Sequence, residues 1–154
     1  METVSFSIMT SFEHQEDVVA MMRLLYEEDE AASVVDYSQI PSSVKHLVSS
    51  PSAGEVVLFR ERSALRGYSL LIPYWSNEFG GTLLFIDELF VVPGFRNRGI
   101  GHAFFRYLEQ RRPFEAVALA LEVSPQNSPG NRLYASLGLV RRRSNTLTRP
   151  LHSL

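Results

Sequence analysis

The run from Thr82 to Val92 is nearly continuous in apolar residues, and it constrains the fold more than any other segment. Such a run reads as a central strand buried on both faces. It requires strands along its edges and helices above and below it. Pro93 ends it, and Arg96-Asn97-Arg98-Gly99-Ile100-Gly101 then leads into a helical run from His102 to Arg111. A strand followed by a glycine-bearing turn and a helix exposes a row of backbone N–H groups. Together with the helix dipole they form an anion site, best suited to phosphate.

The flanking segments supply the remaining elements. Residues 4–9 alternate apolar and polar, as a strand does. Residues 11–29 carry Val18, Met21, Met22, Leu25 and Tyr26 at helical spacing, with Thr10 or Ser11 as the cap. Pro41 opens a second helix that runs to Ser49. Residues 55–60 and 65–74 read as consecutive strands. Residues 116–123 read as a further buried strand, residues 129–137 as a helix stopped by Gly138, and residues 140–147 as a polar edge strand. The order β-α-α-β-β-β-α-β-α-β makes residues 1–154 a single domain of the α/β class, an α+β mixed sheet. One central mixed sheet carries helices on both faces.

Composition narrows the function classes. With 154 residues, 45% of them apolar, the chain can bury a substantial core. A net charge of -2 offers no global attraction for nucleic acid. The absence of cysteine excludes disulfides, thiolate metal sites and a cysteine nucleophile, and the four histidines lack metal-ligand spacing, so no metal is expected. No apolar stretch reaches the ~18 residues of a membrane span, and no signal-peptide pattern opens the chain. A cytoplasmic protein without a membrane partner is the expectation. No GxxxxGK[ST] run is present, which argues against a nucleotide-binding P-loop.

Two motifs carry a family resemblance. Arg96-x-x-Gly99-x-Gly101, after a strand ending in Val91-Val92-Pro93, resembles the acetyl-CoA pyrophosphate loop of the GCN5-related N-acetyltransferase (GNAT) superfamily. The segment from Asn127 to Leu139, with Leu133-Tyr134 and Gly138 inside it, is similar to that family's Asn-x-x-Ala-x-x-Leu-Tyr-x-x-x-Gly-Phe pattern. Gly130 stands where the family has alanine, and Leu139 where it has phenylalanine. The resemblance implies an acyl-CoA N-acyltransferase fold, acetyl-CoA as co-substrate and a primary amine as acceptor. Attack on the thioester is then direct, in a ternary complex. Residues 67–101 look most like the small-molecule branch that acetylates polyamines and diamines. A homodimer is a further implication.

The resemblance also assigns roles. Arg96, Asn97, Arg98, Gly99, Ile100, Gly101 and His102 would surround the pyrophosphate, with Arg96 or Arg98 adding a charge-assisted bond. Leu89, Phe90 and Val91 would pair the pantetheine arm through their main chain, with the neighbouring strand splayed away. Asn127 and Gly130 would hold the same arm. Tyr134 would protonate the departing thiolate.

Asp87 and Glu88 lie in the middle of the apolar strand and, on a regular strand, point to opposite faces. Carboxylates enter such strands with a purpose, because their desolvation is expensive. Either one fits a general base, with the other binding the amine. Glu27 and Glu28, in the acidic run 27–30, would attract a cationic amine. Tyr74 and Trp75 would wall its pocket. The alternatives are a non-catalytic acyl-CoA sensor of the same fold, or transfer to a protein N-terminus or lysine.

Overall fold

The computed structural model describes residues 3–29 and 35–151. A five-stranded sheet runs in the order β1-β2-β3-β4-β5. Its strands are β1 (Ser5–Ile8), β2 (Glu55–Glu61), β3 (Ala64–Ser76), β4 (Gly81–Val91) and β5 (Ala118–Leu121). Neighbours from β1 to β4 are antiparallel, and β4 pairs β5 in parallel. The helices are α1 (Gln15–Glu28), α2 (Ile40–Ser49), α3 (Ile100–Arg111) and α4 (Ser128–Ser136).

The expected two-sided burial of the central strand sorts the core into two layers. On one face, Val18, Met21 and Met22 of α1 and Ile40, Val44 and Leu47 of α2 pack on Val56, Leu58, Tyr68, Leu70 and Phe90. On the other, Ile100, Phe104, Phe105 and Leu108 of α3 pack on Val57, Phe59, Leu71, Leu84 and Ile86, with Tyr134 and Leu137 of α4 against them. An ion pair ties the far end of α3 to the sheet: Arg111 donates both terminal nitrogens to Glu55, each at 2.6 Å.

Two expectations need correcting. α1 begins at Gln15 rather than near Ser11, and its N-cap residue, His14, makes no side-chain capping bond. The strand expected over residues 140–147 does not form, and these residues carry no regular structure. Val140 and Leu147 are 87% and 91% exposed, so this stretch has no buried face to hold a register. Its polar side chains bond outward instead: Arg141 to Asn131, Arg142 to Glu78 and Thr146 to Glu122.

The sheet has two irregularities that position the site. Leu70 pairs with Glu88 but Leu71 pairs with Ile86, so Asp87 is an extra, unpaired bulge residue on β4. On β2 and β3, Phe59 pairs with Gly67 and Arg60 with Leu65, which leaves Arg66 as the bulged residue. The third feature is an open edge. β5 pairs β4 only from Leu83 to Ile86, and residues 87–91 continue with no strand on that side among the described residues.

Candidate active site

The site forms where β4 outruns β5. Alternate residues of a strand aim backbone groups at the same edge, so residues 87–91 offer main-chain donors and acceptors to an extended partner there. Leu89, Phe90 and Val91 lie on this stretch, past the last β5 partner at Ile86; Phe90 O faces Gly67 of β3, and Val91 O accepts from Arg96 Nε.

Beyond β4 the chain makes a 3₁₀ turn over Pro93–Phe95 and then two left-handed residues, Asn97 (φ 60) and Gly99 (φ 77). Gly99 is the N-cap of α3 and makes no side-chain cap. The first bond back into the helix runs from Ala103 N to Gly99 O at 3.0 Å. The amides of Ile100, Gly101 and His102 therefore have no helical carbonyl to bond, and they form the donor cluster of the helix N-terminus. Gly99 is needed for its positive φ. Gly101 lies close to α4: a Cβ there would lie 2.6 Å from Leu133 Cδ2, the tip of a half-buried side chain. Its bare backbone brings α4 against α3. His102 completes that joint: Ser136 Oγ donates to Leu133 O at 2.6 Å and stands 3.0 Å from His102 Nε2. With its own hydrogen committed, the hydroxyl accepts from the imidazole.

The two arginines of the loop have different neighbours. Arg96 donates Nε to Val91 O at 2.7 Å, and its terminal nitrogen reaches both oxygens of Glu28 at 3.0 and 2.8 Å. It braces the end of α1 against the end of β4. Arg98 is exposed, and its guanidinium lies 4.5 Å from the ring centroid of Phe95.

The acidic pair divides in the same way. Glu88 is 9% exposed and accepts from both Tyr68 Oη (2.7 Å) and Tyr26 Oη (2.8 Å). Burial pushes its carboxyl above the usual range, the two phenols pull it back, and the charge of Asp87 adds to the rise. Burial and the Glu88 charge hold both phenols far above their ordinary value, so they remain neutral donors. The bulge also breaks the expected alternation. Ile86 packs under α3, whereas Glu88 bonds to Tyr26 and Tyr68 in the α1 layer, although the two are only two residues apart.

Asp87, the bulged residue, is exposed, and no protein donor bonds it among the described residues. Its side chain reaches solvent, yet the protein mass around the carboxyl raises its pKa, and the charge of Glu122 raises it further. Of the pair, Asp87 has a free, elevated carboxyl at the start of the open edge.

α4 carries the second motif. Asn127 Oδ1 caps the helix by accepting from Gly130 N at 3.0 Å. A Cβ on Gly130 would lie 2.7 Å from Asn127 Nδ2, so the glycine and this cap belong together. The cap leaves Asn127 Nδ2 available as a donor. Tyr134 is half-buried against Phe105, with ring centroids 6.0 Å apart. Burial raises its phenol above the ordinary value, and its hydroxyl has no protein partner among the described residues.

Other residues singled out in the sequence lie elsewhere. Glu28 is committed to Arg96. Glu27 lines a separate open groove of about 460 Å³ with Arg23, Tyr37 and Ser38. Glu30 lies outside the described residues. Tyr74 and Trp75 are 52% and 69% exposed and pair with Leu83 and Thr82. That register sets them roughly 13–17 Å from Asp87 along β4, at the end remote from the loop. Sequence reasoning missed Tyr26, Tyr68 and Glu122 as electrostatic neighbours of the acidic pair. For Tyr26 a signal existed, because a tyrosine on the inward stripe of α1 needs a buried acceptor.

The comparisons with known proteins agree with this architecture. A possible acetyltransferase from Clostridium difficile 630 superposes with a TM-score of 0.81 at 18% identity, covering 99% of this chain and 100% of that one. A ribosomal-protein-alanine N-acetyltransferase from Brucella melitensis biovar Abortus 2308 does so with a TM-score of 0.74 at 16% identity, over 96% and 99% of the two chains. An aminoglycoside N-acetyltransferase solved in complex with CoA gives 0.77 at 14% identity, over 97% and 96%. No curated protein matches the sequence. At these identities the structures bear on the fold alone. The model of the acetyltransferase (GNAT) family matches residues 18–139, which takes in the acidic pair, the turn before α3 and the whole of α4, and the chain belongs to that family.

Proposed function

We propose that this protein is an acetyl-CoA-dependent N-acetyltransferase that acetylates a primary amine by direct attack in a ternary complex. The observation that carries the reading is the placement of Asp87. It is a bulged carboxylate of raised pKa, unbonded among the described residues, where the β4 edge opens. The residues present fit acetyl-CoA: the amides of residues 100–102 suit its pyrophosphate, and the β4 edge beyond its last β5 partner at Ile86 suits its extended arm.

Acetyl-CoA, when bound, supplies the acetyl thioester. The chain supplies the rest. Asp87 takes a proton from the arriving ammonium, which frees the nitrogen lone pair. Its raised pKa brings it closer to that task than an ordinary carboxylate. The freed nitrogen would bond to the thioester carbon as the carbon–sulfur bond breaks; Tyr134 Oη, without a protein partner among the described residues, would supply the sulfur's proton, and the second proton lost by the nitrogen would restore the phenol. Glu88 holds the bulge through Tyr26 and Tyr68 rather than meeting substrate. Side-by-side binding of both substrates supplies orientation.

The test is free-thiol release with acetyl-CoA and an amine panel comprising a diamine, an aminoglycoside and a peptide with a free N-terminus. Because the chain has no cysteine, the thiol background is low. Release with one class identifies the acceptor. Tight CoA binding without release from any amine would overturn catalysis in favour of a sensor.

A further inference from the structure

The loop region holds three arginines, and their partners do not balance. Arg96 is neutralised by Glu28 at 2.8 Å, and Arg66 by Glu61 at 3.2 Å. Arg98 has no carboxylate partner among the described residues. It is also not a free-swinging side chain. Its guanidinium stacks on Phe95 at 4.5 Å from the ring centroid, and Arg66 stacks on the same ring at 3.8 Å. The bulge in β3 pushes Arg66 there, and Glu61 holds it in place. Phe95 is itself half-buried against the α3 layer. Two cations on one aromatic ring repel each other, and only one is compensated. An anion beside Arg98 would relieve that repulsion.

This anion site is separate from the amides of residues 100–102, which answer to the helix N-terminus. The region thus offers two anion positions, one of backbone donors and one guanidinium on an aromatic platform. CoA carries two separate phosphate groups, the pyrophosphate and the phosphate on ribose. We infer that Arg98, held on Phe95 with Arg66, binds the ribose phosphate of CoA and makes this protein discriminate against ligands that lack it. Arg96, the arginine of the motif, is a brace and not the phosphate contact. The inference rests on the CoA-dependent reading above and deepens it.

The experiment is calorimetric titration of the full chain with CoA and with 3′-dephospho-CoA. The wild type should bind CoA about tenfold to a hundredfold more tightly, the worth of a hydrogen bond to a charged group. Arg98→Gln should weaken CoA by that factor and 3′-dephospho-CoA hardly at all, so the ratio falls towards one. Arg98→Lys keeps the charge but loses the planar stack and fork, and should recover only part of the ratio. Phe95→Leu, checked for folding by thermal melt, should lower the ratio with Arg98 intact. Equal wild-type affinity for the two ligands would overturn the inference. So would an Arg98→Gln variant that weakens both by the same factor, since Arg98 would then act on the shared pyrophosphate. Failure of the wild type to bind either ligand would overturn the acetyltransferase reading itself.

Discussion

Asp87→Asn and Glu88→Gln are adjacent, isosteric and charge-equivalent substitutions, and the structure assigns them opposite effects. Asp87 is exposed and makes no protein hydrogen bond among the described residues. Its replacement should change stability by no more than about 0.5 kcal/mol. For a chain of this size the melting temperature then moves by no more than about 2 °C. Turnover should fall by roughly 10²–10⁴, the contribution of a positioned base, equivalent to about 3–5 kcal/mol of barrier.

Glu88 accepts from two phenols that are themselves only donors to it. A glutamine keeps one acceptor and turns a donor towards the other phenol. The loss of one buried partner costs about 1–3 kcal/mol. The melting temperature should drop by roughly 2–12 °C, with kcat of the folded protein reduced far less than in Asp87→Asn.

pH gives a second readout. Glu88 has a raised pKa in the folded state, so folding favours its protonated form. Its contribution to stability is fully present below the unfolded carboxyl value and is lost as pH rises through the folded one. The gap in melting temperature between wild type and Glu88→Gln should therefore narrow across that window. The acid limb of kcat/KM should belong to Asp87: activity rises as its elevated carboxyl ionises, and that limb disappears in Asp87→Asn. Thiol-release kinetics and thermal melts at several pH values check all of this. Full activity in Asp87→Asn, beside an inactive but normally stable Glu88→Gln, would refute the division of roles.

Three further outcomes are expected. Tyr134→Phe removes a hydroxyl with no protein partner among the described residues, so stability should hold within about 0.5 kcal/mol while kcat falls at least tenfold at unchanged CoA affinity, and the alkaline limb of the pH profile should vanish. Gly101→Ala places a Cβ 2.6 Å from the tip of Leu133, which can turn aside, and gains helix propensity within α3, so a melt should show a change of no more than about 1 kcal/mol. Arg96→Gln breaks a half-exposed ion pair worth about 0–1 kcal/mol, so the melting temperature should barely change, and CoA affinity measured by titration should fall less than in Arg98→Gln.

The fold was legible wherever burial imposed a period. The apolar run at residues 82–92 marked the central strand, and the stripe of Val18, Met21 and Met22 marked the face of α1. Periodicity failed where nothing is buried. Residues 140–147 alternate weakly and carry three consecutive arginines, and the segment has no core to enter. It failed again at Asp87, for a different reason. A bulge shifts the register of β3 against β4, and that shift depends on the pairing of two strands rather than on the composition of either. A reader of β4 alone counts Asp87 and Glu88 onto opposite faces. The partner strand makes Asp87 the unpaired residue.

The same logic separates what a motif tells about a site from what it leaves out. A motif identifies backbone features reliably, because Gly99 takes a positive φ that favours glycine. It says little about which charge is available, because availability is set by distant partners. Glu28 lies 68 residues before Arg96, yet it takes one terminal nitrogen of that arginine. Tyr26 and Tyr68, likewise remote, occupy Glu88, and Asp87 beside it has no bonded donor among the described residues. In each pair of similar residues, one member is tied into the scaffold and its neighbour is left free at the open edge or loop. The chemistry of this domain follows from those partnerships.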